Sequence, residues 1–555
     1  MFGAGGGTSS YQEVQDTDVI LLWGSNAREA HPIFFHHVLK AVHAGAKLYV
    51  IDPRRTTSAQ WADAWLGLNV GSDITLANAM AREIIAAGLH NRELIERATR
   101  GFDEYRAAVQ RYTLEYAEQV TGVPAQAIRE VAHAYARADR AQICWTLGIT
   151  EHHNAVDNVL ALINLGLLCG HVGRYGCGLN PLRGQNNVQG GGDMGAIPNR
   201  LPGFQDMETD HEARARFERA WDCKIKPKHG LHMSGMLEAM GRGELTALYV
   251  LGENPVQSDA DAAHVREVLS GLEHLVVQDI FRTATAELAD VVLPATASWC
   301  EAEGTVTNSE RRVQRVRAAL TPPGQARDDL QILCELARRL GRDWRYQSAE
   351  EVWNELRSLA PNHAGMSYER LERLGGIQWP CWDEQDPGAS FLHGWLWDDP
   401  YTRERVPFSV VEDEPPVDAL SDEYPLLLTT GRRLDSFNTG VQSGGYSSPL
   451  RRGEELELSP ADAARLGVHD GQRVRISSRR GSVIAPVRVV SSLRTGLAFM
   501  TLHFPDQVNT NLLTINATDP KSGTAEFKAT AIRVEPIGDG EGEEAQALGE
   551  PVAVG

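Results

Sequence analysis

The stretch Asn180 to Gly195, NPLRGQNNVQGGGDMG, sets a single arginine among neutral amides and glycines. A guanidinium offers two parallel N–H donors, the geometry a small carboxylate accepts. Arg183 is therefore a candidate anion-binding residue. Gln185, Asn186, Asn187 and Gln189 each present a donor and an acceptor, as a heteroaromatic ring system requires. Gly190, Gly191 and Gly192 let backbone approach a ligand closely. The competing reading is a flexible linker with a surface arginine. Linkers are more usually Ser- or Pro-rich than amide-rich, which favours a ligand-facing loop.

Three further stretches carry chemistry. DVILLWG reads as a buried strand ending in Gly24, followed by Ser25 and Asn26 near a helix start, where a phosphate is well placed. The next strand ends at Asp52, able to accept hydrogen bonds from a ribose or a guanine edge, with Arg54 and Arg55 able to neutralise phosphate. GSNAREA is not G-x-G-x-x-G, so it is no standard NAD fingerprint, and an α/β crossover with surface charges remains open. The pattern recurs: LTALYVLGENPVQS ends a strand at Gly252, with Glu253 and Asn254 in the turn, and EHLVVQDIFRT ends one at Gln278 and Asp279. Two such units form an internal pseudo-repeat, suited to the two halves of one dinucleotide or to two dinucleotides. Thr429 to Gly440, TTGRRLDSFNTG, is a third polar loop after a strand; its bland reading is a solvated turn.

The elements that must position these loops follow from periodicity. Helical spacing marks His31–His43, Ile74–Ala87, Pro124–Ala138 and Asn154–Cys169, and TPPGQARDDLQILCELARRLG reads as a helix opened by proline. After Tyr424 short alternating runs with glycine turns predict a β-barrel-like domain. A chain of 555 residues suggests three or four domains. A formal net charge of −20 with no long basic run argues against nucleic acid or an anionic membrane surface. The apolar stretch Val156–Val172 is short for a membrane span and contains Asp157, Asn158, Asn164 and His171, so a buried helix is expected. No secretory leader pattern is present. Seven scattered cysteines without C-x-x-C read as reduced cytoplasmic thiols, with no zinc or iron–sulfur site made by this chain alone.

Longer segments carry a resemblance. GITEHHNAVDNVLALINLGLLCGHVGRYGCGLNPLRGQNNVQGGGDMGAIP closely resembles the catalytic subunit of molybdenum- or tungsten-dependent formate dehydrogenases, of the molybdopterin oxidoreductase superfamily. So do GSNAREAHP, IDPRRT, GENPVQSDAD, QDIFRTATAELADVVLP, EGTVTNSERRVQ, IQWPCW and DPKSGTAEFKATAIRVE, up to about residue 536. TTGRRLDSFNTG resembles the NAD-linked cytoplasmic branch. The resemblance implies two molybdopterin guanine dinucleotides around one Mo or W ion. It implies oxidation of formate to carbon dioxide, with two electrons leaving through iron–sulfur clusters to a diaphorase-like partner subunit and NAD+. It puts Gly24, Asn26, Asp52, Arg54, Gly252, Glu253, Asn254, Gln278 and Asp279 near the dinucleotide arms. Thr430, Arg432, Asn438 and Lys528 would approach from the C-terminal domain, Gln185 would lie near the metal end, and Arg183 would orient formate. The fold class it implies is a multidomain α/β protein: a dinucleotide-binding-like domain at 1–185, a second at 186–348, an irregular connection at 349–422, a double-psi type β-barrel at 423–536 and a disordered acidic tail at 537–555.

The family's four-cysteine [4Fe–4S] motif, its metal-ligating Cys or selenocysteine and the His that follows have no counterpart, and FGAGGGTSSYQEVQDTDV matches the family just after that ligand. The resemblance therefore implies no metal ligand here, a second domain incomplete without that segment, and an N-terminally truncated chain with little formate oxidation by itself. A selenocysteine codon taken as a stop, a frameshift or a split gene would each produce it. A non-catalytic molybdopterin-holding module or remnant is the alternative. A nitrate reductase is another, against which the setting of Arg183 counts.

Overall fold

The computed structural model describes residues 1–537 except 4, 299–300, 435 and 437–452. Asn438, Cys300 and all but the first residue of the expected acidic tail lie outside the described residues.

Strands β1 (Val19–Trp23), β2 (Lys47–Ile51), β3 (Ala64–Leu66), β4 (Ala141–Trp145) and β5 (Gly178–Pro181) form one parallel sheet in the order β3-β2-β1-β4-β5. The chain leaves β1 toward one edge and later returns to its other side, so the strand order reverses between β1 and β4. A parallel sheet needs crossovers that cover both faces. Helix α1 (Pro32–His43) packs Phe34, Phe35 and Val38 on Ile20, Leu22, Leu48 and Val50. On the other face α2 (Asp73–Ala86), α3 (Ala125–Arg137) and α4 (Ala155–Cys169) meet Val19, Leu21 and Trp23. In α3 the buried residues Ile128, Val131, Ala132 and Tyr135 recur at helical spacing, giving the single apolar stripe such a layer requires.

The triple glycine is not an open loop. Asn187, at φ 65°, turns the chain into a short helix α5 (Val188–Asp193), and its Oδ1 accepts from Thr307 N–H at 2.9 Å. Strands β6 (Ala247–Leu251), β7 (His274–Asp279) and β8 (Val291–Pro294) make a second parallel sheet, order β8-β7-β6, with α6 (Ala262–Ser270) as crossover. The helix expected to open on proline begins at Asp329, capped by the Asp328 carboxylate accepting from Leu330 N–H at 2.7 Å. That side-chain cap satisfies one of the orphan N–H groups of the first turn, and Pro322 and Pro323 lie outside the helix.

Beyond residue 424 six strands close into a barrel: β9 (Leu426–Gly431), β10 (Leu456–Leu458), β11 (Arg473–Ser477), β12 (Ser482–Val489), β13 (Leu497–Thr501) and β14 (Thr530–Pro536), in the order β9-β13-β10-β12-β11-β14. Closure removes the sheet edges. The interior is filled by Leu426, Leu428, Val474, Ile476, Ala498 and Met500 among others.

Candidate functional site

The reversal between β1 and β4 leaves a crevice beyond their carboxyl ends, where an open α/β sheet binds ligands. A cleft lies there, and Gly24, Asn26, His31, Asp52, Arg54, Asp73, Thr146, Gly148, His152, Leu182, Gly184, Thr430, Arg432 and Lys528 are in its wall. Gly24, at φ 56°, passes against Gly148: a Cβ on Gly24 would sit 2.8 Å from the Gly148 carbonyl carbon. Thr146 Oγ1 and Gly148 N–H both donate to the Gly24 carbonyl, at 2.6 and 3.2 Å. Two backbones thus meet with no side chain between them.

Of the residues singled out from sequence, Gly24, Asn26, Asp52, Arg54, Thr430, Arg432 and Lys528 share this wall. The barrel supplies the last three and clamps a fourth: the Arg54 guanidinium carbon lies 3.5 Å from the centre of the Phe499 ring. Lys528 Nζ pairs with Glu151 at 2.7 Å and donates to the Thr430 carbonyl at 3.2 Å. Asp52 accepts from Arg54 N–H at 2.9 Å, and burial raises its carboxyl above the ordinary value.

Sequence reasoning missed several neighbours. His152 pairs with the buried Glu526 carboxylate at 3.3 Å, and His153 reaches it at 3.4 Å. Burial opposes charge on His152, but Glu526 outweighs it and raises the imidazole above its ordinary value. Burial would likewise raise Glu526, yet the two histidines hold it far below the carboxylate range. Asp73 accepts from Trp23 Nε1 at 2.7 Å and is raised by burial. His31 Nε2 lies 2.7 Å from the Arg183 carbonyl, which can only accept, so the proton sits on Nε2. Burial lowers that ring to about 4, leaving a neutral histidine whose buried Nδ1 meets no partner among the described residues. The signal was present in EHH at the head of the most apolar helix, where ionisable residues entering a core imply partners.

Gly252, Glu253, Asn254, Gln278 and Asp279 gather elsewhere, at the carboxyl ends of β6 and β7, on a frame that repeats the first. Gly24 N–H donates to Ile51 O and Gly252 N–H to Gln278 O, both at 2.8 Å. Asn26 Oδ1 accepts from Ser58 Oγ at 2.9 Å, and Asn254 Oδ1 from Thr285 Oγ1 at 2.8 Å. Asp63 accepts from Leu48 N–H at 3.0 Å, and Asp290 from Leu275 N–H at 2.7 Å. Burial raises the carboxyls of Glu253 and Asp279, and that of Asp259 to about 6.

Arg183 lies in sequence between Leu182 and Gly184, both of which line the first cleft. Its Nε donates to Gln189 Oε1 at 3.2 Å and its Nη2 to the Gly5 carbonyl at 3.1 Å, while Nη1 has no acceptor among the described residues. Gln185 and Asn186 are exposed beside it. Gly184 lies against Arg432, whose Nη1 is 2.5 Å from where a Cβ would stand. Among the described residues no three His, Cys, Asp or Glu side chains form a metal site, the six cysteines are unpaired thiols, and no helix is long and apolar enough to cross a membrane.

Residues 4–339 match the family model of molybdopterin oxidoreductases. The chain belongs to that family. Residues 426–531, nearly the whole barrel, match the molybdopterin dinucleotide binding domain. The chain is 42% identical over 541 residues to F420-dependent formate dehydrogenase 2 subunit alpha of Methanococcus maripaludis, covering 97% of this chain and 79% of that protein. It is 38% identical over 543 residues to formate dehydrogenase H of Escherichia coli, covering 97% and 75%. The solved acetylene hydratase of Pelobacter acetylenicus shares the fold, with a TM-score of 0.72 at 20% identity over 96% of this chain and 79% of that one. As a molybdopterin oxidoreductase the chain requires a Mo or W molybdopterin cofactor, and the first cleft suits one. It has a side-chain-free backbone contact, cations for phosphate, and at His31 Nδ1 a buried polar atom with no partner among the described residues.

Proposed function

We propose that this chain is the catalytic subunit of a formate dehydrogenase, oxidising formate to carbon dioxide, one proton and two electrons. The observation that supports it best is convergence. Residues at the ends of β1, β2 and β9, with Lys528, hundreds of positions apart, line one cleft, and the chain neighbours of Arg183, Leu182 and Gly184, line it too. Relatives about 40% identical along nearly the whole chain bear formate dehydrogenase names.

Two molybdopterin guanine dinucleotides are the cofactor in this reading, and when bound they supply the two-electron redox chemistry with their metal. Arg54, Arg432 and Lys528 would neutralise phosphates of one arm, and Gly24 and Asn26 would offer backbone and amide beside it. Asp52 would accept from N–H groups of the ligand. Gly252, Glu253, Asn254, Gln278 and Asp279 would serve the other arm, where carboxylates suit the N–H edge of a guanine better than a phosphate. Asn438 would add to the barrel's contribution, and Gln185 would border the metal end. Residues 1–185, 186–348 and 423–536 are then the three cofactor-facing domains, joined by 349–422. Arg183 binds the formate carboxylate through its spare Nη1, orienting the substrate at the cost of one fixed side chain. The electrons would leave through iron–sulfur clusters that this sequence does not itself supply, to a partner subunit and NAD+.

The test is formate-dependent reduction of a viologen dye by the cofactor-loaded protein in its native complex, with NAD+ and F420 compared as acceptors. Arg183→Ala is expected to lower kcat/KM for formate by about 100-fold or more, the loss of a charged substrate contact. Unchanged turnover in that variant, or nitrate reduction in place of formate oxidation, would overturn the assignment.

A further inference from the structure

We propose that Asp193, acting through Gln189, is the positioning residue that sets the attitude of the Arg183 guanidinium for its anion. The proposal rests on Arg183 being the formate-binding residue. Gln189 and Asp193 lie four residues apart on α5, so their side chains share a face. Gln189 Nε2 donates to Asp193 Oδ1 at 2.9 Å and to the Gly5 carbonyl at 3.0 Å. Its Oε1 accepts from Arg183 Nε at 3.2 Å, and Arg183 Nη2 donates to the same Gly5 carbonyl at 3.1 Å. The second carboxylate oxygen of Asp193 accepts from Trp379 Nε1 at 2.7 Å.

An amide can turn over and present either end. An ionised carboxylate only accepts, so Asp193 forces the NH2 end of Gln189 toward itself and leaves the oxygen for Arg183 Nε. With Nε and Nη2 held, Nη1 is the donor left over. Asp193 also supplies a negative charge close to the half-buried Arg183 guanidinium. The charged groups facing it are Arg183 and Arg311, while Gln189 and Trp379 are neutral. Burial pushes the Asp193 carboxyl up to about 6, so its charge is lost as the medium becomes mildly acidic.

The experiment uses the holoenzyme in its complex. Asp193→Asn keeps the shape and removes the obligate acceptor. It is expected to raise KM for formate about tenfold, the worth of one charged hydrogen bond, with kcat changed less than threefold. Line broadening of 13C-formate should report the same weakening without turnover. Asp193→Glu, which restores the charge, should recover most of it. Wild-type KM should rise below pH 6, and in Asp193→Asn that rise should vanish. If Asp193→Asn does not fold, Gln189→Met tests the same link and should show the same KM increase. An unchanged KM in the folded variant, with Arg183→Ala still inactive, overturns this inference alone. Full activity in Arg183→Ala overturns the substrate assignment itself.

Discussion

The two repeated units share a backbone frame and differ in everything brought to it. Around Gly24 the barrel contributes Arg432 and Lys528, α4 begins beside His152, and the turn is pinned by Gly148. Around Gly252 a Cβ would meet nothing within 4 Å, and the ionisable neighbours Glu253, Asp259, Asp279 and Asp329 are all acidic, each raised by burial. The frame is therefore a generic device: a strand, a left-handed glycine, and an asparagine gripping the next turn. What it can bind is decided by the elements packed on it. A cation-lined cleft takes phosphate, whereas a carboxylate cluster takes N–H donors or must be neutralised.

Substitutions that act on one unit only test this difference. The largest effect is expected at His152. His152→Gln leaves the Glu526 carboxylate buried beside one remaining imidazole, at a cost of about 4 kcal/mol at pH 6 in urea unfolding. His152 is raised when folded, so its contribution is complete below its ordinary 6.5 and fades as pH climbs through the folded value. The gap between wild type and variant should thus narrow at alkaline pH. A constant gap would mean the pair is not ionic, and the first unit would lose its distinguishing charge.

Next come the paired glycines. Gly24→Ala meets both a left-handed φ of 56° and the Gly148 backbone, and is expected to cost about 3 kcal/mol. Gly252→Ala, at φ 65° with open space, pays only the conformational term of about 1 kcal/mol. Equal shifts in the unfolding midpoint would break the comparison. The smallest effect is at Asp259, raised to about 6 by burial and by Glu253. A raised acid loses stability as pH rises through its folded value, so Asp259→Asn should gain about 1 kcal/mol at pH 8 and nothing at pH 4. Thermal unfolding of the cofactor-free chain at both pH values measures it.

Much of this was legible in the residues. DVILLWG and the run ending at Asp52 announced two strands because a sheet buried on both faces needs continuous apolar runs. GSN and GEN announced the repeated turns, and Asp52 with Arg54 the charges after the second strand. The helical state of VQGGGD was not legible, since glycine carries no propensity for helix; it depends on Thr307 holding Asn187 from 120 residues away. The partners of Arg183 were hidden for a similar reason. Asp193 and Gln189 read as loop residues until α5 put them on one face, and Gly5 has no side chain to signal anything.

By itself the sequence determined the local units: which runs are strands and helices, where glycines turn the chain, and that two turns repeat. These follow from periodicity and backbone sterics within a few residues. Only the tertiary structure decided that Arg54, Arg432 and Lys528 meet in one cleft, that Glu526 is paired with His152, and that Arg183 keeps one donor free. Those outcomes depend on contacts between residues up to several hundred positions apart, set by how the barrel closes over the sheet, and no local pattern encodes them.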